Sequence, residues 1–132
     1  MPDQFKILVA DDDPEIAELI AEILRADHHC VVTVNDGTEA VRAASQEHPD
    51  VVIIDLNMPK TSGFDAIRLM RKDKATRAIP IIVLTANSDE GSAAKGFAGG
   101  ADDFLVKPFV ASHLRARVNT WLLRHAEDSR SR

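Results

Sequence analysis

Two carboxylates, a hydroxyl and an ammonium each follow directly on a short apolar run of the chain. They are Asp11, Asp55, Thr85 and Lys107. A carboxylate can attack a phosphoryl group and carry it as an aspartyl-phosphate, which makes Asp55 a candidate nucleophile. A lysine ammonium can stabilise the charge of a transferring phosphoryl group, and a threonine hydroxyl can donate a hydrogen bond to a phosphoryl oxygen. These residue types favour phosphoryl transfer.

Two further carboxylates, Asp12 and Asp13, stand beside Asp11. Clustered carboxylates repel one another, so their pKa values rise unless a cation neutralises them. Mg²⁺ fits better than Ca²⁺, because Mg²⁺ needs only one or two carboxylates together with water and phosphate oxygens, whereas Ca²⁺ takes about six to eight oxygen ligands. The sequence therefore predicts Mg²⁺ as the cofactor. We interpret Asp13 as a helix cap without a metal role.

Strand-like and helical segments alternate five times along the chain. The apolar runs are short and rich in Val and Ile, which is typical of strands covered on both faces. They are Lys6–Ala10, Cys30–Val34, 51–54, 81–84 and 104–106. The first helical segment starts at Pro14 with Asp13 as its cap. The other helical segments cover about 38–46, 64–72, 89–97 and 111–123.

This alternation predicts an α/β fold, a parallel sheet with helices on both faces and right-handed crossovers. In open sheets of this kind, ligands bind just beyond the carboxyl ends of the strands. Because Asp11, Asp55, Thr85 and Lys107 each follow a predicted strand, we expect them to meet at one edge of the sheet.

Composition narrows the class of protein. The chain has 132 residues, of which 45% are hydrophobic, and this fits one folded domain. The formal net charge of -5 argues against a general binder of nucleic acid or of anionic membranes. The single cysteine, Cys30, excludes an internal disulfide and suits the cytoplasm; we interpret it as a small buried hydrophobe. No apolar run approaches the ~20 residues of a membrane span.

Four segments, taken in order, resemble the receiver domain of two-component response regulators, of the chemotaxis-regulator type. They are residues 7–13 (ILVADDD), 51–59 (VVIIDLNMP) with Gly63, 82–86 (IVLTA) and 104–109 (FLVKPF). The resemblance implies a flavodoxin-like, doubly wound (βα)5 fold whose five-stranded parallel sheet has the order 2-1-3-4-5. We expect the domain to span residues 1–124, with 125–132 as a polar tail or the start of a linker.

The resemblance also implies roles for the acidic residues. Asp55 would accept the phosphoryl group. Asp12 and Asp55 would bind Mg²⁺, with the backbone carbonyl of Asn57 as a third ligand. Asp11 would act on the ion through water.

A conformational switch is implied by the same resemblance. Lys107 would pair with the phosphoryl group, and Thr85 and Phe104 would form the switch pair. The bond between Lys107 and Pro108 is similar to one that is cis in the family, which proline tolerates. Some relatives carry a Tyr in place of Phe104, but this chain has no Tyr. A switch that reads a hydroxyl at that position is therefore excluded.

The implied partners are a histidine kinase or phosphotransfer protein as donor, and a downstream effector or fused output domain as recipient of the signal. The output face would be formed by the predicted helix 89–97, the fifth strand and the last helix, with dimerisation through that face as one option. We expect no direct contact with nucleic acid. We also expect no enzymatic activity beyond the domain's own Mg²⁺-dependent phosphotransfer and autodephosphorylation.

Two alternatives remain open at this point. A Mg²⁺-dependent phosphohydrolase of the haloacid-dehalogenase type also uses an aspartyl-phosphate, but that family has Thr or Val where this chain has Glu15. A degenerate receiver could act purely as a binding module, although the complete set of polar residues argues against it. That set is Asp11, Asp12, Asp55, Thr85 and Lys107.

Overall fold

The computed structural model describes residues 4–58, 60–86 and 99–130, in which five strands alternate with helices. The strands are β1 (Lys6–Ala10), β2 (Cys30–Val34), β3 (Val51–Asp55), β4 (Ile81–Ala86) and β5 (Asp103–Lys107). The helices are α1 (Pro14–Ala26), α2 (Gly37–Glu47), α3 (Gly63–Lys72) and α4 (Ala111–Arg130). The predicted helix 89–97 lies outside the described residues.

All five strands are parallel, as the alternation of strands and helices predicts, and they follow the order β2-β1-β3-β4-β5, as the resemblance implies. The three central strands have neighbours on both sides, and they carry the continuous runs of Val, Ile and Leu expected for strands that are buried on both faces. Among the described strands, β5 lies at the edge of the sheet and pairs with β4 alone. β5 ends at Lys107, so the position of this edge strand determines where the Lys107 side chain begins.

Side chains of β1 alternate between two hydrophobic cores, one on each face of the sheet. Ile7 and Val9 face the core that α1 and α4 cover, whereas Leu8 and Ala10 face the core that α2 and α3 cover. Successive side chains of a strand point to opposite faces, so the apolar run from Ile7 to Ala10 supplies both cores. Each fully buried Ile or Leu stabilises the fold by about 2 kcal/mol.

Side-chain caps start the first three helices. Asp13 accepts a hydrogen bond from the Glu15 amide, and Pro14 occupies the first turn of α1, which confirms both predictions. Asp36 caps α2 in the same way, and Ser62 caps α3. Each cap satisfies an amide that would otherwise lack an intrahelical partner.

Two predictions differ from the structure. Cys30 is exposed rather than buried, because it opens the edge strand β2. α4 continues to Arg130, past the predicted end at residue 123, because the polar segment that follows contains neither Pro nor Gly to stop a helix. The domain boundary at residue 124 stays a prediction. Among the described residues, no helix combines the length and the apolar composition that crossing a bilayer requires.

Candidate functional site

The carboxyl ends of β1, β3 and β5 bring three charged side chains together. Asp11 follows β1, Asp55 ends β3 and Lys107 ends β5. The Lys107 ammonium donates to Asp11 Oδ2 at 3.1 Å and to Asp55 Oδ2 at 3.4 Å. β4 separates β5 from β3, and β3 lies between β4 and β1. This long side chain therefore passes the end of β4 to reach Asp55 and the ends of β4 and β3 to reach Asp11.

Three carboxylates form a compact acidic cluster at this edge. One oxygen from each of Asp11, Asp12 and Asp55 lies within 4.8 Å of the other two. Asp11 is fully buried and Asp55 is 7% exposed, while Asp12 faces solvent. The cluster is therefore open to solvent on the Asp12 side and enclosed on the other.

Backbone amides support the two buried carboxylates. The Asp13 amide donates to Asp11 Oδ1 at 2.9 Å, and the Asn57 amide donates to Asp55 Oδ1 at 3.2 Å. Because a buried charge is costly unless it is paired and hydrogen-bonded, these amides and Lys107 together make the cluster tolerable. They also fix the direction in which each carboxylate points.

The site keeps an excess of negative charge. Burial raises the pKa of Asp55 above its ordinary value, although Lys107 and the Asn57 amide act in the opposite direction. Burial also acts to lower the pKa of Lys107, but Asp55 and Asp11 outweigh it, so that pKa is raised. One ammonium thus serves two buried carboxylates, and the exposed Asp12 adds a third. A cation is favoured at such a site.

The cluster fits Mg²⁺ by its donor set. Its ligand atoms are carboxylate oxygens, which suit a hard cation. They are few enough to leave positions for water and for phosphate oxygens, which Mg²⁺ commonly keeps. The Asn57 amide lies against Asp55, and the role of its carbonyl as a third ligand stays a prediction.

The predicted switch pair lies on one face of the sheet. Thr85 is 3% exposed near the end of β4, and Phe104 pairs in register with Val83. Since side chains alternate along a strand, Thr85 and Val83 point to the same face, which is also the face that Phe104 packs against. The Arg117 guanidinium lies 6.0 Å from the centroid of the Phe104 ring. The Lys107–Pro108 peptide bond is cis, as predicted.

Gly63 sets the distance between α3 and the end of β3. A Cβ at this position would lie 2.4 Å from the Asp55 carbonyl oxygen and 2.6 Å from Leu56 Cα. Both are backbone atoms, so only glycine lets α3 begin this close to Asp55. The sequence offered a signal here, because Gly63 belongs to the motif around Asp55.

Two other contacts that hold the loops around the site have no motif in the sequence that would predict them. The Asn35 side chain donates to the Asp11 carbonyl at 3.1 Å. The Thr38 and Thr61 hydroxyls lie 3.0 Å apart, which ties the loop after Asp55 to the start of α2. These contacts depend on backbone carbonyls and on neighbours distant in sequence, so composition and spacing do not predict them.

A cavity of about 250 Å³ lies at the opposite edge of the sheet, where β4 and β5 begin. Its lining includes Pro80, Asp102, Trp121 and His125. Its lining includes none of the residues of the acidic cluster, which lies at the other edge of the sheet.

Comparison with known proteins agrees with the geometry of the site. The family model described as "Response regulator receiver domain" matches residues 7–119. The chain is 37% identical over 123 residues to the DNA-binding response regulator MtrA of Mycolicibacterium smegmatis, a match that covers 93% of this chain and 53% of that protein. The chain therefore spans about half the length of the curated relatives of this group.

The fold is also similar to that of solved receiver domains and response regulators. The receiver domain of a sensor histidine kinase from Pseudomonas aeruginosa, crystallised with a magnesium ion coordinated in its active-site cleft, superposes with a TM-score of 0.85 and 32% identity over 91% of this chain and 98% of that one. The chemotaxis response regulator CheY4 of Vibrio cholerae superposes with a TM-score of 0.84 and 31% identity over 90% of this chain and 99% of that one.

Proposed function

We propose a phosphoryl-accepting signalling switch from one premise: this chain belongs to the response regulator receiver domain family of two-component systems. The observation that carries the proposal is the environment of Asp55. This buried carboxylate ends a central strand, lies beside Asp11 and Asp12, and accepts a hydrogen bond from Lys107. Asp55 is the proposed phosphoacceptor.

In the proposed transfer, an Asp55 carboxylate oxygen attacks the phosphorus of a donor phosphohistidine. The new O–P bond forms as the N–P bond breaks, and the electron pair of the broken bond stays on the imidazole nitrogen, which then takes up a proton from water. The donor is a histidine kinase or a phosphotransfer protein. The Asn57 amide orients Asp55, because it donates to the Oδ1 atom.

Asp12, Asp55 and the Asn57 carbonyl are the proposed Mg²⁺ ligands, with Asp11 acting through water. When bound, the ion neutralises charge on the phosphoryl oxygens. In the same pocket, Lys107 supplies the second positive charge, as a point charge on a flexible side chain. Its contact with Asp55 in the unmodified protein shows that the ammonium can reach the acceptor.

Modification is read out through Thr85 and Phe104. In our proposal, the Thr85 hydroxyl moves toward the phosphoryl oxygens and opens space on the shared face of the sheet, into which Phe104 turns. The phosphoryl group shifts this equilibrium by its differential affinity for the two states. Lys107 would couple the phosphoryl group directly to β5, the strand that carries Phe104.

The output of the switch is inferred from the longer relatives of this chain. The relative named above is a DNA-binding response regulator of about twice the matched length. We propose that this domain controls a fused output domain or a separate effector through β5, α4 and the segment before β5, rather than by contacting nucleic acid itself.

Stoichiometry separates this proposal from its alternatives. The protein is incubated with acetyl phosphate and Mg²⁺, and both protein-bound and free phosphate are followed against a protein-free control. A switch labels to at most one phosphoryl group per chain and releases phosphate only slowly. Many rapid turnovers of unrelated phosphate esters would indicate a phosphohydrolase, and the absence of labelling would indicate a binding module.

A further inference from the structure

Arg71, in the last turn of α3, contacts two other segments of the chain through its guanidinium. Nε donates to the Gly100 carbonyl at 2.8 Å. Nη1 donates to the carbonyls of Arg77 at 2.9 Å and Ile79 at 2.7 Å. Nη2 donates to Asp102 Oδ2 at 2.8 Å. We call this set of contacts the Arg71 clamp. It joins the end of α3 to the connection before β4 and to the residues that lead into β5.

Asp102 links the clamp to the register of β5. Its Oδ2 atom also accepts from the Ile81 amide at 2.8 Å, and its own amide donates to the Ile81 carbonyl at 2.9 Å. The ladder between β4 and β5 begins at the next residues along, where Ile82 pairs with Asp103. Asp102 therefore sets how β5 starts on β4, and Arg71 neutralises the carboxylate that does so.

The stem of Arg71 packs closely on the backbone at Gly100. This glycine has a φ of +117°, and a Cβ on it would lie 2.8 Å from Arg71 Cγ. The Arg71 side chain is 20% exposed and that of Asp102 is 34% exposed, so their ion pair is partly shielded from solvent. The close packing and the shielding both favour a fixed contact over a fluctuating surface pair.

β5 needs such an anchor, because an edge strand has one neighbour in the sheet. Its far end carries Lys107, whose ammonium donates to Asp55 at 3.4 Å. Its start is held on one face by α4, where Trp121 Nε1 donates to Asp103 at 2.8 Å. On the other face, α3 holds the same end through the Arg71 clamp. The strand is thus held from both faces where it begins.

We propose that Arg71 is a positioning residue for phosphoryl recognition, which acts by fixing the start of β5 so that Lys107 reaches the phosphoryl group on Asp55. The inference rests on the proposed function. It makes a selective prediction, because the proposed Mg²⁺ ligands follow β1 and β3, and none of the contacts of Arg71 described above involves those strands. Loss of the clamp should weaken binding of a phosphoryl group while leaving Mg²⁺ binding alone.

The test compares two affinities in Arg71→Gln and wild type. Mg²⁺ is titrated first, and its binding is monitored by the amide NMR shifts of Asp12 and Asn57. Beryllofluoride, a phosphoryl mimic, is then titrated at saturating Mg²⁺. We expect unchanged Mg²⁺ affinity and beryllofluoride affinity lowered roughly 2- to 30-fold, the range for mutations that alter coupling between sites. Arg71→Lys should fall between the two, because an ammonium cannot reproduce the fork.

Matched variants keep the result interpretable. Arg68→Gln, on the same helix, removes an exposed guanidinium whose ion pair is with Asp65, and it should match wild type in both titrations. If Arg71→Gln does not fold, Asp102→Asn tests the same link. The new amide oxygen can still accept from the Ile81 amide but no longer pairs with Arg71 as an anion.

Three results would overturn the inference. One is a folded Arg71→Gln, or Asp102→Asn in its place, that binds beryllofluoride as tightly as wild type. Another is an equal loss of both affinities, which would indicate general destabilisation. The third is a wild-type protein that does not bind the mimic, or an Asp55→Asn variant that binds it equally well. This last result would contradict the proposed function itself, and the inference with it.

Discussion

Lys107 is the residue on which the two buried carboxylates depend, and its loss gives the first prediction. Asp11 is fully buried, so Lys107→Ala leaves it with a backbone amide and no counter-charge. Without Mg²⁺, the free energy of unfolding should fall by on the order of 3 kcal/mol, as when one partner of a buried pair is removed. Urea denaturation measures this change directly.

Mg²⁺ should restore much of that loss, because a bound cation replaces the missing positive charge and stabilises the folded state by mass action. Lys74→Ala, at an exposed position, serves as the control and should change little. An equal loss for Lys107→Ala with and without Mg²⁺ would show that the ammonium and the metal do not serve the same carboxylates. Lys107→Arg should rescue only in part, since its planar group fits a different geometry.

At the scale of elements, the start of α3 gives the second prediction. Gly63→Ala would place a Cβ against the backbone of Asp55 and Leu56, so α3 must move away from β3. Overpacking of this kind costs about 1–3 kcal/mol, which the better helix propensity of alanine offsets only in part. We expect a lower melting temperature and slower labelling of Asp55 by acetyl phosphate.

Gly99→Ala is the matched control for that change. Among the described residues, none has an atom within 4 Å of a Cβ placed at Gly99, so this variant should keep the wild-type melting temperature and labelling rate. If Gly63→Ala were as stable and as readily labelled as Gly99→Ala, the close approach of α3 to Asp55 would not matter for the site.

The elements also show how far the sequence could be taken. Strand composition and helix spacing are local signals, and they predicted the strands, the cap at Asp13 and the edge at which Asp11, Asp55 and Lys107 meet. The prediction that Cys30 is buried was wrong, because burial depends on where a strand lies in the sheet, which is not a local property. The Arg71 clamp escaped prediction because three of its four acceptors are backbone carbonyls, and any residue supplies those.

At the scale of the whole molecule, acid sensitivity should come from the edge opposite the acidic cluster. Burial lowers the pKa of His29, although Asp27 and Asp50 favour its protonated form. Among the described residues, its Nδ1 atom is buried without a hydrogen-bond partner. The Phe5 ring centroid lies 5.8 Å from that of the imidazole. Protonation would therefore place a charge where few groups can solvate it.

Because the pKa of His29 is lowered in the folded state, acid destabilises the folded protein through this group. The unfolded chain takes up a proton on His29 at about pH 6.5, and the folded state does so only at lower pH. The free energy of unfolding contributed by this group is thus constant above about pH 6.5 and falls as the pH drops below it. His29→Gln removes the group, so its stability should fall less than that of wild type between about pH 7 and pH 5.

Urea denaturation at several pH values provides the comparison. His113→Gln, at an exposed position of α4, should follow the wild-type curve. Parallel curves for wild type and His29→Gln would show that acid sensitivity has another source.

The most direct test of the account locates the phosphoryl group. Wild type, Asp55→Asn and Asp65→Asn are incubated with acetyl phosphate and Mg²⁺, and their intact masses are measured. Asp65 is an exposed carboxylate in the first turn of α3, so its variant should label like wild type. We expect a single phosphoryl adduct on wild type and Asp65→Asn and none on Asp55→Asn. An equal adduct on Asp55→Asn would contradict the assignment of Asp55 as the phosphoacceptor.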